Sequence, residues 1–208
     1  MSLLHKSKGV MNKNLIIYLH GFRSSAESSK FNILKNMFPQ EKVIALDYSP
    51  HIPNLAAEQI SKVITDHYHE YDILVIGTSL GGFWARWAAN RFWEKSILIN
   101  PSLHPDKTLS VGIFSHYQDP NKKIEVTQQN LTSFLDYKVD PVSETHAVVL
   151  LAMDDEVIDA NATKEELKDV HSVICFNRGG HRFNQFESME YIISGILNSI
   201  VSSGLTNE

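Results

Sequence analysis

Apolar residues in this chain gather into short dense runs, separated by segments where they recur every three or four positions. The runs fall at residues 15–19, 43–46, 71–76, 96–99, 147–152 and 173–176. That length and density suit buried strands. Between them the spacing is helical. Ser24-x-x-Glu27 forms a capping-box pattern, and Phe31, Leu34 and Phe38 continue it up to Pro39. Asn54 is expected to cap a helix whose Ile60, Val63, Ile64 and His67 share one face. Residues 80–91 form an Ala-rich helical segment. Thr163-x-x-Glu166 is expected to open another helix. Residues 186–201 predict a terminal helix with Ile192, Ile193, Ile196, Leu197 and Ile200 on its apolar side. The alternation breaks only at residues 100–145, a polar stretch carrying Pro101, Pro105, Pro120 and Pro141, which reads as irregular.

Six strands interleaved with helices imply an α/β protein with both faces of the sheet covered. Right-handed crossovers then give an open, doubly wound, mainly parallel sheet of about six strands. Such sheets carry their chemistry in the loops at the carboxyl ends of the strands. The 208 residues fit one domain, 1–208, with residues 1–13 a loose leader and residues 100–146 a cap-like insertion.

Composition narrows the function classes. A net charge of −5 argues against a phosphate-backbone surface, so nucleic acid is not an expected partner. The one cysteine, Cys175, excludes an intrachain disulfide and a multi-thiolate zinc site. His67-x-His69 has no third ligand in view, so no metal is expected, and nothing calls for an organic cofactor. The longest apolar run, residues 147–153, is far short of the ~20 residues a spanning helix needs. No secretory signal pattern is present, so the expected location is cytoplasmic. Oligomeric state is not set by these patterns.

Glycine marks the candidate chemistry. Gly21, Gly77, Gly81, Gly82, Gly179 and Gly180 all follow predicted strands. Gly77-Thr78-Ser79-Leu80-Gly81 matches the G-x-S-x-G elbow, and it lies between an apolar run and a helix, as that turn requires. Ser79 is therefore the candidate nucleophile. A serine hydroxyl needs a base. His181, in the loop after the last strand, is the candidate; His5, His51, His67, His69, His116 and His171 fit polar loops or helix faces. The base needs a carboxylate to fix its tautomer. Asp155, just past the fifth strand, is favoured, with Asp154 and Asp159 as alternatives. An oxyanion needs two preset donors, for which the backbone N–H groups of Leu80 and Phe22 are expected. His20 is read as a buttress of the Phe22 loop. Trp84 and Trp87, one turn apart on the helix after Ser79, are read as packing. The order Ser79, Asp155, His181 is that of α/β-hydrolases.

Leu19-His20-Gly21-Phe22, the Gly77–Gly82 elbow, Asn100-Pro101, Asp155-Glu156-Val157 and Gly179-Gly180-His181-x-Phe183 together resemble the small bacterial YqiA/YcfP-type esterases of the α/β-hydrolase superfamily. The resemblance spans roughly residues 15–197. It implies an α/β-hydrolase fold with a six-stranded parallel core, and hydrolysis of a small-molecule carboxylic ester or thioester through Ser79, Asp155 and His181. Asp154 stands where that pattern has glycine, which keeps Asp154 and Asp155 both open as the acid. In the insertion, Ile113, Phe114, Tyr117, Phe134 and Tyr137 are candidates either for an acyl pocket or for a small core of its own. The other readings of the same site are acyl transfer, a lyase step, or a non-catalytic hydrolase-fold module that binds a ligand.

Overall fold

A computed structural model of the chain describes residues 13–140, 147–169 and 171–202. All six apolar runs are strands of one sheet: β1 (Lys13–Leu19), β2 (Lys42–Leu46), β3 (Tyr71–Thr78), β4 (Lys95–Ile99), β7 (Val148–Ala152) and β8 (Ser172–Phe176). Every pairing is parallel, in the order β2-β1-β3-β4-β7-β8. Alternate side chains feed two cores. Leu15, Ile17, Leu19, Ile73, Val75, Leu98, Val149 and Leu151 face one side and meet α2 (Pro53–His67), α3 (Leu80–Phe92) and α6 (Ala160–Leu167). Ile16, Tyr18, Leu74, Ile76, Ile97, Ile99 and Leu150 face the other and meet α1 (Ser29–Met37) and α7 (Glu190–Ser202). Burial on both faces is why these strands read as continuous apolar runs rather than alternating ones.

The chain leaves β1 towards one edge of the sheet and returns to β3 on the other side of β1. The helices that follow β1 and β3 pack on opposite faces. That reversal opens a crevice at the carboxyl ends of β1 and β3, where open α/β sheets bind ligands.

Three expected helix starts are displaced. Ser24 and Glu27 lie in the loop before α1, which begins after Ser28, a residue that makes no side-chain cap. Pro53, not Asn54, opens α2, and Asn54 Oδ1 instead accepts a hydrogen bond from Tyr137 at 2.9 Å. The cap of α6 is Asp159, whose Oδ1 accepts from the Ala162 N–H at 3.0 Å; Thr163 lies one turn inside. The terminal helix is preceded by a separate 3₁₀ turn, Phe186–Met189. Ile193 and Leu197 of α7 are buried as expected, and the Ile200 side chain lies outside the described residues.

Residues 100–140 are not irregular throughout. They hold α4 (Pro105–Thr108), an antiparallel hairpin of β5 (Gly112–Ser115) and β6 (Lys123–Val126), α5 (Gln128–Ser133) and a 3₁₀ turn at Phe134–Tyr137. Phe134 is fully buried in the α3 core against Phe83 and Trp84, and Tyr137 packs edge-on against Trp84 and Trp87. Trp84 also donates its indole N–H to the Pro50 carbonyl at 2.9 Å. Residues 1–12 of the expected leader lie outside the described residues; Lys13 already belongs to β1.

Candidate active site

Ser79 stands between β3 and α3 at φ 57°, ψ −122°, a conformation L-residues avoid. Its backbone is held on both sides. The Ser79 N–H donates to Ile99 O at 2.9 Å, and its carbonyl accepts from Gly82 N–H at 2.8 Å and Ser102 N–H at 3.0 Å. The elbow needs glycine for space. A Cβ on Gly77 would strike the Gly81 carbonyl, and one on Gly81 would strike the Leu19 carbonyl.

His181 Nε2 lies 3.0 Å from Ser79 Oγ, across 102 residues of sequence. Its Nδ1 lies 2.9 Å from Asp155 Oδ2 and 3.0 Å from Oδ1. A carboxylate only accepts, so Nδ1 carries the proton and Nε2 is left to accept from the serine hydroxyl. The Asp155 side chain is 1% exposed and that of His181 20%. Burial alone would raise the Asp155 carboxyl. Hydrogen bonds from His181 and from the Ile158 and Val157 N–H groups, both at 2.8 Å, outweigh it and hold the group below the ordinary carboxylate value.

The alternative acids are engaged elsewhere. Asp154 Oδ1 accepts from Gly180 N–H at 2.8 Å, and Asp159 caps α6. Glu156 accepts from His181 N–H at 2.9 Å, so three successive acidic residues each take a part of the His181 loop. Gly180, at φ 59°, supplies the left-handed turn in that loop.

The loop after β1 passes directly over Ser79. A Cβ on Gly21 would come within 3.1 Å of Ser79 Cβ and of Thr78 O. Among the described residues no acceptor takes the N–H of Phe22 or of Leu80, and both residues line the cleft that holds Ser79 and His181. His20 donates from Nδ1 to the Gly21 carbonyl at 2.9 Å, while Tyr48 donates to the His20 carbonyl at 2.8 Å. Burial lowers the His20 pKa, which keeps its ring neutral in this buttress.

Several residues here have roles that no motif reported. Asn100, buried at φ 42°, accepts from Ala152 N–H at 2.8 Å and donates to the carbonyls of Gly180 at 3.0 Å and His181 at 3.3 Å. It joins the end of β4 to the end of β7 and to the His181 loop; the Asn100-Pro101 pair marked its position but not this role. The hairpin braces the Phe22 loop. Phe114 packs edge-on against Phe22, Arg23 Nε donates to Ser115 O at 2.7 Å, Tyr117 N–H donates to Arg23 O at 2.8 Å, and His116 Nε2 donates to Ser24 O at 2.9 Å. Of the five aromatic and aliphatic candidates in the insertion, Tyr117 lines the cleft, Ile113 faces solvent, and Phe114, Phe134 and Tyr137 pack as described. His67 is used within its own surroundings, donating to Val63 O and accepting from Lys42, both at 2.9 Å.

A family model described as "Uncharacterised protein family (UPF0227)" matches residues 15–195. The chain belongs to this family. A UPF0227 protein of Vibrio campbellii is 26% identical over 175 residues, which cover 82% of this chain and 92% of that protein. The match accords with the resemblance carried by the sequence motifs. Among solved structures, alpha/beta hydrolase domain-containing protein 10 from mouse superposes with a TM-score of 0.68 at 18% identity, covering 92% of each chain. Est1E from Butyrivibrio proteoclasticus, solved with ferulic acid bound, gives a TM-score of 0.71 at 13% identity, covering 93% of this chain and 92% of its own. This UPF0227 member therefore has the α/β-hydrolase fold. Among the described residues no helix is long and apolar enough to cross a membrane.

Proposed function

We propose that this chain is a serine hydrolase that cleaves a carboxylic ester or thioester through an acyl-enzyme. The observation that carries the reading is the chain of contacts from Ser79 Oγ to His181 Nε2 at 3.0 Å and from His181 Nδ1 to Asp155 at 2.9 Å, on a strained elbow. In this mechanism His181 takes the hydroxyl proton as Ser79 Oγ attacks the carbonyl carbon. Asp155 holds the imidazole orientation and offsets its positive charge. The free N–H groups of Phe22 and Leu80 receive the oxyanion. His181 returns the proton to the departing alkoxide or thiolate. Water, deprotonated by His181, then displaces the acyl group from Ser79. Residues 112–117 brace the loop that carries the Phe22 N–H.

That Est1E was solved with ferulic acid bound supports the reading by analogy of fold. The test is labelling with a fluorophosphonate, read by intact mass. One adduct is expected on the wild-type chain and none on Ser79→Ala, whose ester turnover should fall by about 10⁴-fold or more. A folded wild-type chain that takes no adduct and turns over no ester would overturn the proposal.

A further inference from the structure

The cleft beside Ser79 has a volume of about 460 Å³ and is lined by two cations, Lys30 and Arg182. Among the described residues neither is paired with a carboxylate. Lys30 is half-buried in the first turn of α1, its ammonium 5.8 Å from the Phe186 ring centre. Arg182 follows the candidate base directly and is exposed at the cleft. Burial, and then the positive charge of Arg182, bring the Lys30 pKa down to about 8. It is still mainly protonated at neutral pH. Two like charges brought together, one of them half-buried, with no carboxylate among the described lining residues, cost stability. Asp154, Asp155 and Glu156 hold the His181 loop from behind, yet among the described residues no carboxylate lines the cleft itself.

The backbone adds to the same field. Ser28, Ser29 and Lys30 line the cleft, so the N-terminus of the nine-residue α1 opens onto it. Ser28 stands at the cap position without capping through its side chain. No acceptor among the described residues takes the N–H of Ser29 or Lys30. These are unfilled donors at the positive end of a helix, beside two unfilled cations.

We infer that the cleft is built for a substrate that carries an anionic group, a carboxylate or a phosphate, held by Lys30 and Arg182 while its ester carbonyl sits at Ser79. The inference rests on the hydrolase reading above and names its substrate class. A neutral ester leaves both cations uncompensated in the bound state. An anionic one gains two charge-assisted contacts.

Matched ester pairs test this at pH 7. One pair is the 4-nitrophenyl half-ester of glutaric acid against 4-nitrophenyl pentanoate, which places a carboxylate on the acyl side. The other is 4-(butanoyloxy)phenyl phosphate against phenyl butanoate, which places a phosphate on the leaving side. The readout is the ratio of kcat/KM, anionic over neutral, within each pair. At least one ratio is expected to favour the anion, which tells acyl-side carboxylate from leaving-side phosphate. Lys30→Met and Arg182→Met should each cut that ratio by about tenfold or more, and Lys30→Arg should restore it. Circular dichroism checks folding, and the wild-type ratios stand even where a variant misfolds. Turnover of the neutral esters with no anionic preference in either pair would overturn this inference and leave the hydrolase reading in place. An anionic preference that survives both methionine variants would also overturn it. No turnover of any ester, with Ser79 unlabelled, would remove both.

Discussion

Asn100 takes a left-handed backbone conformation that asparagine tolerates better than most residues, and uses its side-chain amide on three backbone partners. Asn100→Gly keeps that backbone accessible and removes the amide. It is expected to lower kcat by more than about tenfold with KM little changed, because the His181 loop loses its tie to β4. Steady-state kinetics beside a melting curve separates this positioning role from a loss of folded protein. Asp155 makes a prediction of opposite character. Its carboxyl is held below the unfolded value of ~3.9, so its contribution to stability is present above that pH and is lost as pH falls through the folded value. The melting temperatures of wild type and Asp155→Asn should differ most near neutral pH and converge below about pH 4. At this scale the sequence was legible where steric need leaves a mark. The glycines around Ser79 are there because any Cβ would strike a neighbouring backbone. Lys30 and Arg182 carried no such mark, and the Asn100-Pro101 pair marked a position without its role, since the partners of all three come from other strands and loops.

The hairpin of β5 and β6 braces a loop of the candidate site. Phe114 packs on Phe22, while Ser115, His116 and Tyr117 bind the backbone or side chain of the loop that carries the Phe22 N–H. Phe114→Ala should lower kcat by about two- to tenfold, the rate equivalent of the ~0.5–1.5 kcal/mol an edge-to-face pair contributes. Ester kinetics should register this while circular dichroism stays unchanged. The strands were legible as elements because burial on both faces makes them apolar throughout. Helix starts were less so. Ser-x-x-Glu and lone Asn or Thr residues also suit turns, and the preference for capping does not say which of several adjacent candidates wins. The elements of residues 100–140 are four to six residues long, too short for periodicity to register.

For the molecule as a whole, strand order brings the candidate site together. The reversal between β1 and β3 sets the Phe22 loop beside Ser79, and the run β3-β4-β7-β8 then lays Asp155 and His181 alongside. The parallel sheet was inferable from alternation, but the order of its strands was not. Order decides which loops become neighbours, and thus that Lys30 after β1 meets Arg182 after β8 in one cleft. The contact between Ser79 and His181, 102 residues apart, has a consequence for how the protein is made. A ribosome delivers the serine and its elbow long before the imidazole. Through most of its synthesis the nascent chain therefore carries Ser79 without its His181 partner. In the proposed mechanism the serine gains its base only after β8, an edge strand, has docked. On that proposal, completion of the sheet and onset of reactivity are a single event.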